Sequence, residues 1–324
     1  MDRRTFVGIT AALISAHLSA TGAPLPTVRC IGFLGNGKPD TNAPQHEAFK
    51  KGLRDLGWIE GGNIVFEYGW AEGSVERLPA LVAAFLQRPV DIIVLSGSPA
   101  LSVAHRATRT TPIVFIVLTD PVALGFVASF ARPGGNITGM ASQFEELITK
   151  QLQLLREAIP RLSRVALLHQ AGLPAVVLTA AETTTRALGL TAHMLKVNEW
   201  SELDNAFKTA SAERAGAMLV LPSPYFDTQS KILIALAARY RLPAFYEFKN
   251  FVENGGLMSY GPNINEMYAR AASYVDRILK GAYPGDLAIE RPRTFELVIN
   301  LKTAATLGLS LPASLLERAD QLIG

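Results

Sequence analysis

The sequence predicts an α/β protein of two doubly wound parallel-sheet lobes. A length of 324 residues suits two lobes or one large domain. Short apolar runs rich in isoleucine and valine alternate with helical patterns, and several runs are apolar on both faces, as parallel strands covered by helices require. That alternation breaks at Arg132-Pro133-Gly134-Gly135-Asn136 and then begins again, which points to a second lobe.

The first four strand-like runs lie within 29–36, 63–71, 90–98 and 112–120. Between the first two, His46, Phe49, Leu53 and Leu56 recur at spacings of three and four on one helical face, and Gly57 stops the helix. Val75, Leu78, Leu81, Val82 and Phe85 mark the next helix in the same way. The order is βαβαβ with crossover helices. After the break, residues from Met140 lead into a long helix through Leu155, and strand-like runs return at 164–170, 190–197, 217–222 and 242–248. A strand ending in Ser-Pro, a helix, and a strand that begins with Pro and ends in an acid occur in both halves, around Ser98-Pro99 and Ser223-Pro224.

With 49% of residues hydrophobic and 18% charged, the chain is not disordered. Outside the N-terminus no uncharged apolar run reaches the ~18 residues of a membrane span. Lys and Arg total 31 against 28 Asp and Glu, a dispersed net charge of +3 that gives no reason to invoke nucleic acid. One cysteine excludes an intramolecular disulfide, and Cys30 reads as a buried thiol on the first strand. Residues 1–23 read as a secretory signal: Arg3 and Arg4, an apolar stretch from Phe6 to Leu18, then small residues to Ala23. The Asp2-Arg3-Arg4-Thr5-Phe6-Val7 start approximates a twin-arginine signal, and Thr27-Val28-Arg29 before Cys30 is no lipid-anchor site.

Catalytic constellations are missing. His46, His105, His169 and His193 lack helical metal-site spacing, Gly32, Gly35 and Gly37 do not form a dinucleotide fingerprint, and no nucleophile elbow surrounds Ser96 or Ser98. No metal, cofactor or catalytic residue is expected. The chemistry instead suits holding a ligand. Open α/β sheets bind beyond the carboxyl ends of their strands, where Asn36-Gly37, Ser96-Gly97-Ser98, Thr119-Asp120-Pro121, His169-Gln170, Ser223-Pro224-Tyr225 and Glu247 all stand. Ser98 and Ser223 read equally as helix caps, and a helix N-terminus that needs an acceptor is also an anion site. Asp120 and Glu247 read as holders of an ammonium group, or as caps or surface acids. Tyr225, Tyr246, Phe248 and Tyr260 read as walls for an apolar group. No arginine stands in these loops, which argues against a phosphorylated or multiply anionic ligand.

From Ile31 to Asp320 the sequence closely resembles the extracytoplasmic substrate-binding proteins of ABC transporters, in particular the tryptophan- and tyrosine-type members with the type I periplasmic-binding fold. The segments that carry the resemblance are 49–74, 77–86, 129–140, 246–262 and 295–310. The resemblance implies three hinge crossings, near 139–143, 259–263 and 293–297. It divides the chain into a signal at 1–23, one lobe of 28–140 plus 262–293, and another of 141–261 plus 294–324. Phe295 to Asn300 then suits a hinge crossing better than a buried strand. It further implies a periplasmic protein, a monomer in delivery, that captures a small solute and passes it to an inner-membrane ABC permease. The implied solute is an amino acid or related carboxylate, in some members aromatic, held by Asn36, Ser96, Gly97 and Ser98 on one side and Tyr225, Glu247 and Tyr260 on the other. The alternative is a periplasmic sensor that presents its ligand-bound state to a membrane receptor.

Overall fold

The computed structural model describes residues 28–324 except 41, 42, 89, 119 and 143. The expected export signal at 1–23 and the candidate Thr119 therefore lie outside the described residues.

The first sheet contains β1 (Arg29–Gly35), β2 (Ile64–Trp70), β3 (Ile92–Ser96), β4 (Ile113–Leu118) and β5 (Ile137–Ala141), all parallel, in the order β2-β1-β3-β4-β5. Around it pack α1 (Ala43–Asp55), α2 (Leu78–Gln87) and α3 (Ser98–Ala107). After β5 come α4 (Phe144–Ala158), β6 (Arg164–Gln170), α5 (Ala175–Ala187), β7 (Thr191–Val197), α6 (Leu203–Ala212) and β8 (Ala217–Val220). Then follow α7 (Pro224–Asp227), α8 (Ser230–Arg239), β9 (Ala244–Tyr246), α9 (Lys249–Glu253), β10 (Met258–Pro262) and α10 (Ile264–Leu279). The chain ends with β11 (Phe295–Asn300), α11 (Leu301–Thr306), α12 (Ala313–Leu316) and β12 (Gln321–Ile323). The second sheet has the order β12-β11-β10-β9-β8-β6-β7.

The apolar runs are continuous because each sheet is covered on both faces. In the first lobe Ile31, Phe33, Ile92 and Val94 face Phe49 and Leu53 of α1 and Met267, Ala271 and Val275 of α10. Their neighbours Leu34, Ile93 and Leu95 face Leu78, Val82 and Phe85 of α2 and Leu101 of α3. The second lobe repeats the device. Val165, Leu167 and Leu219 pack under Ile148, Leu152 and Leu155 of α4, whereas Ala166, Leu168 and Met218 meet Phe207 of α6 and Leu233 of α8. Alternate side chains of a strand point to opposite faces, so strands buried on both sides are apolar at nearly every position.

The chain passes between the sheets three times, between Ala141 and Phe144, between Pro262 and Ile264, and between Glu290 and Phe295. After β10 it crosses to the first lobe, where α10 packs on α1 and Trp58 Nε1 donates to Asp276 Oδ1 at 2.8 Å. Thr138 of β5 donates to the Leu287 carbonyl at 2.7 Å, and Arg270 pairs with Glu290, fixing the returning segment.

That return path explains one departure from the sequence reading. Phe295–Asn300 is a strand inside the second sheet, antiparallel to β10, with residues 297–300 buried. The chain re-enters from the cleft side, so it runs opposite to β10, and the strand serves as core as well as crossing. Cys30, expected as a buried thiol, is half-buried on β1. On α1, Phe49 and Leu53 are buried, but His46 is half-buried and Leu56 lies beyond the helix, exposed. Strand β9 is shorter than the run 242–248, since Glu247 and Phe248 already turn toward α9.

Candidate functional site

In each lobe the chain leaves a central strand in one direction, returns, and continues in the other. In the first lobe β2 lies on one side of β1 and β3 on the other; in the second β7 and β8 flank β6. The crevice beyond the carboxyl ends of such a strand pair is where open sheets bind ligands. Here the two crevices face each other. Between them lies a cavity of about 450 Å³, lined by residues after β1 and β3 on one side and after β6, β8 and β9 on the other. That volume suits a small molecule.

The first wall is built by Asn36 and the Ser96-Gly97-Ser98 turn. Asn36 Nδ2 donates to the Ser96 carbonyl at 3.0 Å, tying the two strand ends together. Gly97 is the N-cap of α3 at φ 82° and ψ 154°, a conformation that side chains other than glycine rarely adopt. Ser98 is therefore the first helical residue rather than the cap, and Pro99 follows where a missing N–H costs nothing. From α10, Tyr268 reaches the same wall and hydrogen-bonds the Ser96 side chain, and burial pushes its hydroxyl up to about 12.

On the second wall Ser223 Oγ donates to Gln170 Oε1 at 2.5 Å and accepts from the Tyr225 N–H at 3.1 Å, so one hydroxyl joins the ends of β6 and β8 and caps α7. Glu247 is 5% exposed, and its Oε1 has no hydrogen-bond partner. Burial holds its carboxyl well above the usual range, and the charge of Asp227 adds to the rise. Asp227, at the end of α7, lines the same cavity, and burial pushes it up to about 7.

The candidates from sequence divide. Asn36, Ser96, Gly97, Ser98 and Glu247 line the cavity. Tyr225 lines a small annex beside it with Gly73 and Val75, its ring stacked on Trp200 at 3.4 Å and 3°. Gly37 is buried and its carbonyl accepts from the Glu72 N–H at 3.2 Å, away from the lining. Asp120 is exposed and used locally: its Oδ1 accepts from the N–H groups of Val122 at 2.8 Å and Ala123 at 3.1 Å. Pro121 is buried beneath that turn, its carbonyl accepting from Phe126. His169 is buried within β6, one residue short of the cavity, and its ring pairs with the Gln170 carbonyl at 3.2 Å. Burial lowers its pKa. Tyr260 stacks on Phe295 at 5.9 Å outside the lining, and its carbonyl accepts from Gln151 Nε2 at 2.7 Å. Tyr246 is fully buried against Phe251, a core aromatic rather than a wall.

Sequence reasoning missed Asp227, Tyr268, Gln45 and Arg106, all of which line the cavity. Arg106 enters from the far end of α3, not from a loop, and its Nη1 donates to Ser102 Oγ at 3.1 Å. Asp227 sits four residues after Ser223 and could have been found by following the four-residue helix that Ser223 caps; Tyr268 carries no local signal.

The family model for ABC transporter substrate binding proteins matches residues 39–323. The chain belongs to this family. Among its relatives, the tyrosine-binding protein of Clostridioides difficile (strain R20291) is 24% identical over 271 residues, covering 81% of this chain and 75% of the relative. A conserved domain protein from Vibrio cholerae O1 biovar El Tor superposes with a TM-score of 0.86 at 23% identity, covering 91% of this chain and 100% of the other. The ABC domain from Streptococcus pneumonia in complex with L-Trp superposes with a TM-score of 0.85 at 21% identity, covering 92% and 100%. The architecture is that of type I periplasmic binding proteins, and the family is one of solute-binding proteins. Among the described residues no helix is long and apolar enough to cross a membrane.

Proposed function

We propose that this protein captures an amino acid or related carboxylate, aromatic in the favoured case, between its lobes and delivers it to an ABC permease. The observation that carries the reading is the cavity of about 450 Å³ formed where the two strand-end crevices meet, with polar groups from both lobes and apolar walls such as Phe126, Leu173 and Phe248. The solute carboxylate meets the N-terminus of α3 at Ser96, Gly97 and Ser98, where the positive end of the helix dipole favours an anion. Its ammonium meets Glu247, and its side chain lies on the apolar walls. A ligand that touches both lobes only when they are together favours the closed arrangement. The bodies that move are 28–140 with 262–293 and 141–261 with 294–324. Cleavage after Ala23 would release the protein as a soluble periplasmic monomer, consistent with the signal-like leader.

Kinship to proteins whose names record tyrosine binding and an L-Trp complex supports testing aromatic amino acids first. A thermal-shift screen of the purified protein against the common amino acids and aromatic acids tests the reading. A solute at a hundred times its Kd stabilises the folded state by about 2.7 kcal/mol, which shows as a higher Tm. A folded protein whose Tm no solute raises removes the support.

A further inference from the structure

Among the described residues Arg106 is the one cation that lines the cavity. The acids that line it, Asp227 and Glu247, belong to the second lobe. On α3, Ser98, Ser102 and Arg106 recur every four residues, with Pro99 and Val103 beside them, so one face of the helix borders the cavity along its length. At a rise of about 1.5 Å per residue, that face runs about 12 Å from Ser98 to Arg106. Beyond the strand ends the rest of the lining is apolar, with Leu124 and Phe126 after β4, and Leu173, Pro174 and Val177 across the cleft. The Phe126 ring meets His105, the neighbour of Arg106, edge to face at 5.4 Å and 84°, which fixes it on this side of α3.

Arg106 stands in the last turn of α3, where a cation suits the helix dipole, but its guanidinium turns back along the helix. Nη1 donates to Ser102 Oγ at 3.1 Å, which holds the charge near the level of Ser102, about 6 Å along the axis from Ser98. A guanidinium carries several N–H donors, and this bond uses only one of them. Among the described residues no carboxylate pairs with Arg106. A guanidinium with free donors beside apolar walls receives a planar anion well, because its fork matches a carboxylate in two parallel bonds. The strand-end loops hold no arginine, so this charge enters the cleft only because a helix face borders it.

We propose that Arg106 forms an outer subsite for a second anionic group of the solute, a carboxylate at the far end of its side chain. The inference rests on the solute-capture reading of the cleft and narrows it: the solute is an amino acid with a ring-sized apolar spacer between two carboxylates. Its α-carboxylate lies at the N-terminus of α3, its spacer on Phe126 and Leu173, and its terminal carboxylate on Arg106. Aspartate is too short to span the interval of about 6 Å between Ser98 and the guanidinium. A neutral aromatic amino acid fills the apolar walls and leaves the guanidinium to water.

Calorimetric titration of the purified protein with 4-carboxy-L-phenylalanine and its neutral isostere 4-carboxamido-L-phenylalanine tests the proposal, with L-2-aminosuberate, L-aspartate and L-tyrosine alongside. Each is titrated at low and at high salt. The expected result is that the acid binds at least about tenfold tighter than the amide at low salt, and that the gap narrows at high salt as the charge at the mouth is screened. L-2-aminosuberate should bind more tightly than L-aspartate. Arg106→Gln should bring acid and amide to within about twofold of each other, and Arg106→Lys should keep part of the gap, since the charge stays and the fork is lost. If a variant fails to fold, the acid and amide pair and the salt series on the unaltered protein still decide. Equal affinity for acid and amide, a preference for the acid that survives Arg106→Gln, or aspartate binding as tightly as aminosuberate overturns the outer subsite and leaves solute capture standing. A folded protein that binds none of these solutes, nor any common amino acid, overturns both.

Discussion

Substituting Gly261 by alanine tests how the backbone positions Glu247. Gly261 lies on β10 beside β11, and a Cβ placed there would sit 2.1 Å from the Glu247 carbonyl oxygen and 3.0 Å from Glu247 Cγ. Cβ atoms do not approach other heavy atoms within 3.0 Å, so the two chains must part by at least about 0.9 Å. Neither partner yields easily, since the obstacle is main chain and β10 is held between β9 and β11. Overpacking of this kind costs about 1–3 kcal/mol. For a chain of this size that lowers Tm by roughly 2–5 °C. Because the displaced group bears the cleft carboxylate, solute affinity should fall by at least about tenfold as well. Differential scanning calorimetry and isothermal titration with the best solute give both readings. Gly135→Ala, where a Cβ meets nothing within 4 Å, is the control and should stay within about 0.5 kcal/mol of the parent. A Gly261→Ala protein with unchanged Tm and Kd would refute the idea that this close approach places Glu247.

Phe49→Ala empties the fully buried contact between the first sheet and the helix pair α1 and α10, and should cost about 3–5 kcal/mol in a chemical denaturation series. Trp200 stacks on Tyr225 and approaches Gly73 of the other lobe to within 3.8 Å of its virtual Cβ, so solute addition should change tryptophan emission, and Trp200→Phe should remove most of that change without altering affinity more than a few fold. An emission change that survives Trp200→Phe would place the lobe contact elsewhere. Cys30 is half-buried, and burial, then the charges of Glu67 and Asp91, hold its thiol above the usual range. Its reaction with an aromatic disulfide reagent at pH about 8 should be at least roughly tenfold slower than that of an unfolded control.

Strand positions were readable wherever both faces of a strand are buried, because continuous apolar runs such as Ile92 to Leu95 have no other economical use. Strand-end turns were readable too, since Ser-Pro and Asn-Gly mark where strands stop. Which strand-end acid lines the cleft was not. Asp120 and Glu247 carry the same local signal, but a short aspartate at the start of a turn reaches the N–H groups two and three residues on, and Asp120 is consumed by them. Glu247 lines the cavity, and its Oε1 remains an unpaired acceptor. Phe295 to Asn300 misled for a related reason. A strand with polar residues at one end reads as a surface crossing, yet only its first two residues are half-exposed while the rest enter the core.

By itself the sequence determined the α/β class, the two lobes, the family, and the first-lobe wall at Asn36 and Ser96 to Ser98. The class, the lobes and the wall follow from local periodicity and turn chemistry, which act over a few residues, whereas the family follows from resemblance along nearly the whole chain. Tertiary structure decided that the two strand-end crevices face one another and that α10 brings Tyr268 back to the first wall. It also decided that Asp227 and Glu247, 20 positions apart, line one cavity. A carboxyl's charge state depends on the solvent and the partners that the fold removes from it or brings to it, so the chemistry of that wall exists only once the chain has folded.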